Sequence, residues 1–318
     1  MSAPLRLGFV PLCDAAGLIV AQAKGLFAEQ GLEVELTREA SWATIRDKLA
    51  VGALDGAQML APMAIAQTLG LGCEAVEITA PLALGQGAAA VTVARRLELG
   101  ADFAVGLADL VTKRKEMEAS PLTFSVVFPY SVHNYLLRDW LNRAGIDPDC
   151  DVRLTVAAPP RMAELLGGGV IEGFCAGEPW STVASRGGVG RIVARAGDLA
   201  PMAPDKVFAT TSAWARENPR AFEALLKALA KALAWAGDPA NRRELTILLA
   251  APEHLDVPLE TVAEGLENLV FQPSPLDRTQ IDWLFTQMLR WAQVTEGDRA
   301  QAERVFAPVS TARDAAGA

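Results

Sequence analysis

The sequence predicts an α/β protein of two lobes with a hinged cleft between them, and three observations carry that prediction. Strand-like and helix-like stretches alternate up to about residue 206; two extended segments, Ala88–Ala94 and Lys206–Thr211, bracket the central block; and the remainder of the chain is helical in pattern. Alternation of this kind builds right-handed βαβ units on parallel or mixed sheets with helices on both faces. A chain that leaves one lobe and later returns needs two crossings. Lobe one is therefore expected to hold residues 1–89 and 207–318, and lobe two residues 90–206.

Taken in order, the short apolar run Leu5–Val10 reads as a strand, and Ala15–Glu29 repeats apolar residues at helical spacing until Gly31. Leu32–Thr37 alternates as a strand does. Ser41 stands at an N-cap position with the helix Trp42–Val51 behind it, followed by a buried strand Asp55–Leu60 and a helix Pro62–Leu69. The middle of the chain repeats the pattern: strand Thr123–Phe128, helix Ser131–Ala144, strand Asp151–Val156, helix Pro159–Leu166 and strand Gly173–Ala176. Asn218-Pro219 opens a helix to about Ala236, and Asp238–Ala250, Pro258–Leu269 and Asp277–Val294 follow with helical periodicity. The tail from Ser310 is small and polar and is expected to fray.

Composition narrows the function classes. The chain has 318 residues, 51% of them hydrophobic and 21% charged, which places it among folded globular proteins. A formal net charge of −9 opposes condensation onto nucleic-acid phosphates, so no direct nucleic-acid partner is expected. The first five residues carry no charge and Asp14 interrupts the apolar run that follows, so no secretory signal is expected and the chain reads as cytoplasmic. Bulky Leu12 before Cys13 argues against lipoprotein processing. The uncharged stretch Gly56–Cys73 is broken by Gln58, Pro62, Gln67, Gly70 and Gly72, so a buried strand and a small-residue helix are expected and no membrane insertion. The four cysteines show no C-x-x-C pairing.

Common catalytic engines are missing. There is no G-x-x-x-x-G-K-[ST] loop, no G-x-S-x-G elbow and no paired histidines for a metal, since His133 and His254 stand far apart. No cofactor, no metal and no enzyme activity are expected. What remains is a set of polar groups at strand ends, where open α/β sheets bind ligands. Trp42 opens a helix whose free N–H groups favour an anion, although a Trp packed in the core would read the same. Gln86 stands in Gly85-Gln-Gly-Ala88, where backbone can approach a ligand; an ordinary turn is the alternative. His133 lies in the first turn of its helix, Pro159 follows a strand in Ala157-Ala-Pro-Pro160, and Lys206 lies in Pro204-Asp-Lys-Val207 at the return crossing. A solvated lysine and satisfied structural residues are the plainer explanations of these three. Asp14, Asp55 and Glu178 read as caps or ion-pair partners, and Lys113-Arg-Lys115 as a solvated helix face.

At these residues the chain resembles the nitrate/bicarbonate-binding protein family (NrtA/CmpA type), solute-binding proteins of ABC transporters. The resemblance rests on Gly8-Phe-Val-Pro-Leu-Cys-Asp-Ala15, Ser41-Trp-Ala-Thr-Ile-Arg-Asp47, Gln58-Met-Leu-Ala-Pro-Met63, Ala157-Ala-Pro-Pro160 and Gly173-Phe-Cys-Ala-Gly-Glu-Pro-Trp180. It implies a type II periplasmic-binding-protein-like fold. With no export signal expected, the chain is most similar to the cytoplasmic nitrate/nitrite sensors of that family (NasS type), which hold an ANTAR-type antiterminator (NasT-like) inactive until the anion binds. The resemblance implies that Trp42 lines an anion pocket, that Gln86 and His133 donate hydrogen bonds, that Pro159 forms a wall and that Lys206 supplies the cation. Cys13 stands where the family often has Thr, Gly17 where it often has Pro, and the Gly85–Gly87 loop lacks the usual Asn.

Nitrate has one delocalised charge and no proton to give, so it asks for donors, a cation and a flat apolar surface. Bicarbonate carries an O–H and rewards an acceptor, and its binders in the family tend to have Glu where Lys206 stands, so nitrate or nitrite is favoured. The leading expectation is an anion-closed sensor. A transporter's solute-binding protein is the alternative, and an enzyme on the same fold is the third reading.

Overall fold

The computed structural model describes residues 3–201, 203–271 and 273–307, and the tail expected to fray from Ser310 lies outside the described residues. Ten strands form two mixed five-stranded sheets. The first has the order β2-β1-β3-β10-β4, from β1 (Leu5–Phe9), β2 (Val34–Arg38), β3 (Gly56–Leu60), β4 (Ile78–Gln86) and β10 (Pro204–Thr211). The second has the order β7-β6-β8-β5-β9, from β5 (Ala89–Ala94), β6 (Thr123–Val126), β7 (Arg153–Val156), β8 (Gly173–Gly177) and β9 (Gly190–Arg195). Sheet membership thus changes between Gln86 and Ala89 and again between Arg195 and Pro204, which puts Lys206 in the first sheet.

The βαβ units are parallel, as the alternation predicts: β1 pairs in parallel with β2 and β3, and β6 with β7 and β8. The crossing strands break the rule. β10 runs antiparallel to both β3 and β4, and β5 antiparallel to β8 and β9. β4 is a strand that the helix–strand alternation does not reveal, because Pro81 lies inside it. Proline is tolerated there because β4 is an edge strand. Its free edge is covered by later chain: Ala80 N donates to Val305 O, Ala83 N to Ser274 O and Gln86 N to Val270 O.

Local signals set most helix starts. Ser41 Oγ accepts from Thr44 N at 3.2 Å and starts the helix Trp42–Ala50; Ser131 Oγ accepts from Asn134 N at 3.1 Å and starts the helix Val132–Arg143. The long apolar stretch Ala15–Glu29 is two helices, because Gly25 adopts φ +70° between Ala16–Ala23 and Leu26–Glu29. Gly17 lets Ala16–Ala23 lie tightly on the helix Pro219–Gly237, since a Cβ there would stand 2.9 Å from Leu233.

The two lobes are closed on each other. One apolar core contains Leu12 and Trp42 from the first lobe together with Phe124, Cys175 and Trp180 from the second. Polar contacts also cross: Trp180 Nε1 donates to Pro11 O at 2.8 Å, Tyr135 Oη to Gln293 Oε1 at 2.7 Å, and Arg290 pairs with Asp139 at 2.9 Å. Among the described residues no helix is long and apolar enough to cross a membrane. The four cysteines are free.

Candidate functional site

The polar centre of the molecule lies where the ends of the strands meet between the lobes. After β1 the chain turns through Cys13–Ala15 and carries Asp14 inward. Gln58 on β3 fixes that turn, accepting from Val10 N at 2.9 Å and donating Nε2 to the Asp14 carboxylate. Because β10 is antiparallel to β3, its first residues lie beside the last of β3, with Lys206 opposite Leu60. Adjacent strand residues normally point to opposite faces, but the register of β10 against β4 slips on both sides of Lys206. That irregularity lets neighbouring Asp205 and Lys206 reach one another.

The result is a buried ion network. Lys206 Nζ donates to Asp14 Oδ2 at 2.9 Å and to Asp205 Oδ2 at 2.6 Å, with all three side chains essentially sealed from solvent. The ammonium lies 5.6 Å from the centroid of the Trp42 ring. From the other lobe, His133 Nε2 comes within 3.6 Å of Asp205 Oδ2, too far for a hydrogen bond. Gly177 at the end of β8 keeps this corner open, since a Cβ there would lie 3.5 Å from His133 Nε2 and 3.7 Å from Asp14 Oδ2.

Burial sets the charges. It pushes the Asp14 carboxyl up to about 6, with Lys206 opposing and Asp205 adding to the rise. Burial also pushes Asp205 up, but Lys206 and His133 outweigh it and hold that carboxyl below its ordinary value. For Lys206 burial pulls down, and the two carboxylates more than compensate. Burial takes His133 down to about 4. At neutral pH the imidazole is thus uncharged, and the network carries two negative charges against one positive.

Unpaired polar atoms concentrate here. Of the eight buried side-chain nitrogens and oxygens without a partner among the described residues, four belong to this cluster: Trp42 Nε1, both ring nitrogens of His133, and Asp205 Oδ1. An indole N–H and one imidazole N–H are therefore buried and unsatisfied, at a cost of about 1–3 kcal/mol each. That is an arrangement built to receive an acceptor, supplied from both lobes. Asp205 Oδ1 is a free acceptor in the same space, so Lys206 does not by itself discriminate against an anion that bears an O–H.

Of the five residues expected at the site, Trp42, His133 and Lys206 meet. Gln86 and Pro159 do not join them. The Gln86 amide is turned to the C-terminal helices, where its Oε1 accepts from Gln280 Nε2 at 3.0 Å. Its backbone bridges to Val270. A Cβ at the neighbouring Gly85 would stand 3.1 Å from Leu269 and 3.2 Å from Val270 O, so this end of β4 is packed against the C-terminal chain. Pro159 is buried in the 3₁₀ turn Pro159–Arg161 after β7, two strands from β8. Lys206 is not solvated, nor is it a bare cation. Asp14, Asp205, Gln58 and Gly177 complete the cluster; Asp14, Gln58 and Gly177 lie inside the motifs that carry the resemblance, and Asp205 adjoins Lys206, but no spacing announces that they meet.

An apolar groove of about 410 Å³ on the outside of the first lobe, lined by Pro81, Leu82, Phe222 and Leu226 among others, offers no comparable donor set.

Comparison with known proteins gives the family of the chain. Residues 1–250 match the NMT1-like family. The nitrate/nitrite binding protein NrtA of Synechocystis sp. (strain ATCC 27184 / PCC 6803 / Kazusa) is 30% identical over 316 residues, 90% of this chain and 70% of that protein. The nitrate import ATP-binding protein NrtC of the same organism is 34% identical over 312 residues, 91% of this chain but 46% of that protein, so this chain spans about half its length. The crystal structure of the periplasmic nitrate-binding protein NrtA from Synechocystis PCC 6803 superposes with a TM-score of 0.84 at 27% identity, covering 95% of this chain and 85% of that one.

Proposed function

Because this chain belongs to the NMT1-like family, we propose that it is a binding protein for a small planar oxyanion, nitrate or nitrite, held between the lobes by Trp42, His133 and Lys206. The observation that carries this reading is the pair of buried, unpartnered N–H donors on Trp42, whose ring centroid lies 5.6 Å from the Lys206 ammonium, and on His133, whose Nε2 lies 3.6 Å from the Asp205 carboxylate that the same ammonium holds. Buried donors without partners are rare, and an oxyanion supplies the missing acceptors. The nitrate/nitrite binding protein NrtA and the periplasmic nitrate-binding protein NrtA, to which the chain is similar, support the choice of anion. Since the cluster is sealed from solvent, the ligand enters only when the lobes part, and closure then follows its preference for the closed state.

We further propose that the protein acts as a cytoplasmic sensor whose lobe closure releases an ANTAR-type antiterminator. This finer reading is supported by the motif resemblance. A transporter's solute-binding protein remains the second reading, favoured by the periplasmic relative of known structure.

Calorimetric titration with nitrate, nitrite, bicarbonate and sulfate tests the first proposal. The expected result is one site for nitrate or nitrite, with sulfate silent; the bicarbonate titration shows whether Asp205 Oδ1 also admits an anion that bears an O–H. Absence of heat from nitrate and nitrite at millimolar anion rejects it. The sensor reading expects an antiterminator to co-elute with the protein without nitrate and to separate with it. Failure to co-elute under either condition favours the transport reading.

A further inference from the structure

The charge arithmetic of the site has a consequence for how an anion enters it. Lys206 is the one cation of the cluster, and both of its short contacts are already made to carboxylates. An arriving anion would bring a third negative charge into a sealed space around a single ammonium. Desolvated like charges at such distances do not coexist without a proton or a counter-ion.

We infer that the anion is taken up together with one proton, which comes to rest on Asp14, so that binding reports pH as well as anion concentration. This rests on the oxyanion reading above.

Lys206 Nζ stands 2.6 Å from Asp205 but 2.9 Å from Asp14, so Asp14 is the looser of its two ion pairs. The groups facing it are Lys206 and Asp205 on β10, Gln58 on β3, His133 from the helix of the second lobe, the neighbouring Cys13 thiol and, behind Cys13, Glu178. Asp205 keeps its charge through Lys206, and Cys13 and Cys175 are thiols that burial keeps protonated. Glu178 is turned to Arg195 and Thr182 N. Burial brings the Asp14 carboxyl up to about 6, within reach of neutral pH. A protonated Asp14 still accepts from Gln58 and frees Lys206 to turn one of its hydrogens to the anion.

Nitrate is a suitable probe because it does not titrate between pH 6 and 8. Titration of the full chain with sodium nitrate at pH 7.5 in PIPES and in Tris is expected to show heats that differ by the buffers' ionisation enthalpies, with close to one proton taken up per nitrate. Affinity is expected to fall about fiftyfold from pH 6 to pH 8, the change for one linked proton lost above an affinity near 6. Asp14→Asn, which mimics the protonated acid, is expected to bind nitrate at pH 8 at least tenfold more tightly than the unmodified protein and to vary less than threefold across that range. Equal heats in both buffers overturn the inference, as does a pH dependence that survives in Asp14→Asn and disappears in His133→Gln. If nitrate gives no heat at any pH, the oxyanion reading itself fails.

Discussion

Replacing Lys206 by Met is expected to cost about 3–5 kcal/mol of stability at pH 8 and to abolish anion binding, because it leaves two buried carboxylates with no cation. Asp14 and Asp205 are both within hydrogen-bond distance of the ammonium and are sealed from water. Nothing else in the cluster carries a positive charge, since His133 is neutral. The penalty has a definite pH dependence. In the unmodified protein the Asp14 carboxyl is raised from 3.8 to about 6, so its protonated form is favoured by folding; that contribution is present below about pH 4 and lost as pH rises through 6. Without Lys206, which opposes the rise, the window moves upward and takes in Asp205 as well. Urea unfolding followed by circular dichroism at pH 5 and pH 8 should therefore show a deficit at pH 5 less than half of that at pH 8. Equal stability of Lys206→Met and the unmodified protein at pH 8 would mean that the network carries no such electrostatic cost.

Trp42→Phe separates the donor from the ring. The indole is fully buried and packs in the core shared by both lobes, yet its N–H has no partner. Phenylalanine keeps most of the flat apolar surface and removes an unsatisfied donor. Unliganded stability should consequently change by no more than about 1.5 kcal/mol. The bound anion loses a hydrogen bond to a charged acceptor, worth about 1.5–3 kcal/mol, so nitrate affinity should fall roughly ten- to a hundredfold. Calorimetry at pH 6 measures it. An affinity within threefold of the unmodified protein would show that Trp42 Nε1 does not touch the ligand.

The α/β class and the helix starts were legible because their causes are local. Ser41 and Ser131 cap helices in a way any sequence reader can anticipate, and those caps bring Trp42 and His133 to helix starts beside the crevice. The strand–helix alternation up to about residue 206 foretold the parallel pairs of both sheets. β4 stayed hidden because Pro81 argues against a strand, and only its edge position, with residues 270, 274 and 305 laid along it, makes the proline acceptable.

The charge state of the site was not legible, for a physical reason. A lone Lys reads as a solvated side chain, and Lys206 is buried only because Asp14 reaches it across 192 positions of sequence. The slip in register that turns Asp205 toward the same ammonium is a tertiary property of β10 and β4. Gln86 illustrates the converse. Its glycine-flanked setting suggested a ligand contact, but its amide pairs with Gln280 and the chain at residues 269 and 270 packs against the adjoining Gly85.

The most direct measurement is a crystal structure of the protein grown with nitrate. Planar, three-lobed density within hydrogen-bond distance of Trp42 Nε1, a ring nitrogen of His133 and Lys206 Nζ is the predicted result. Nitrate seated elsewhere, with those three groups satisfied by one another or by water, would contradict an oxyanion site between the lobes.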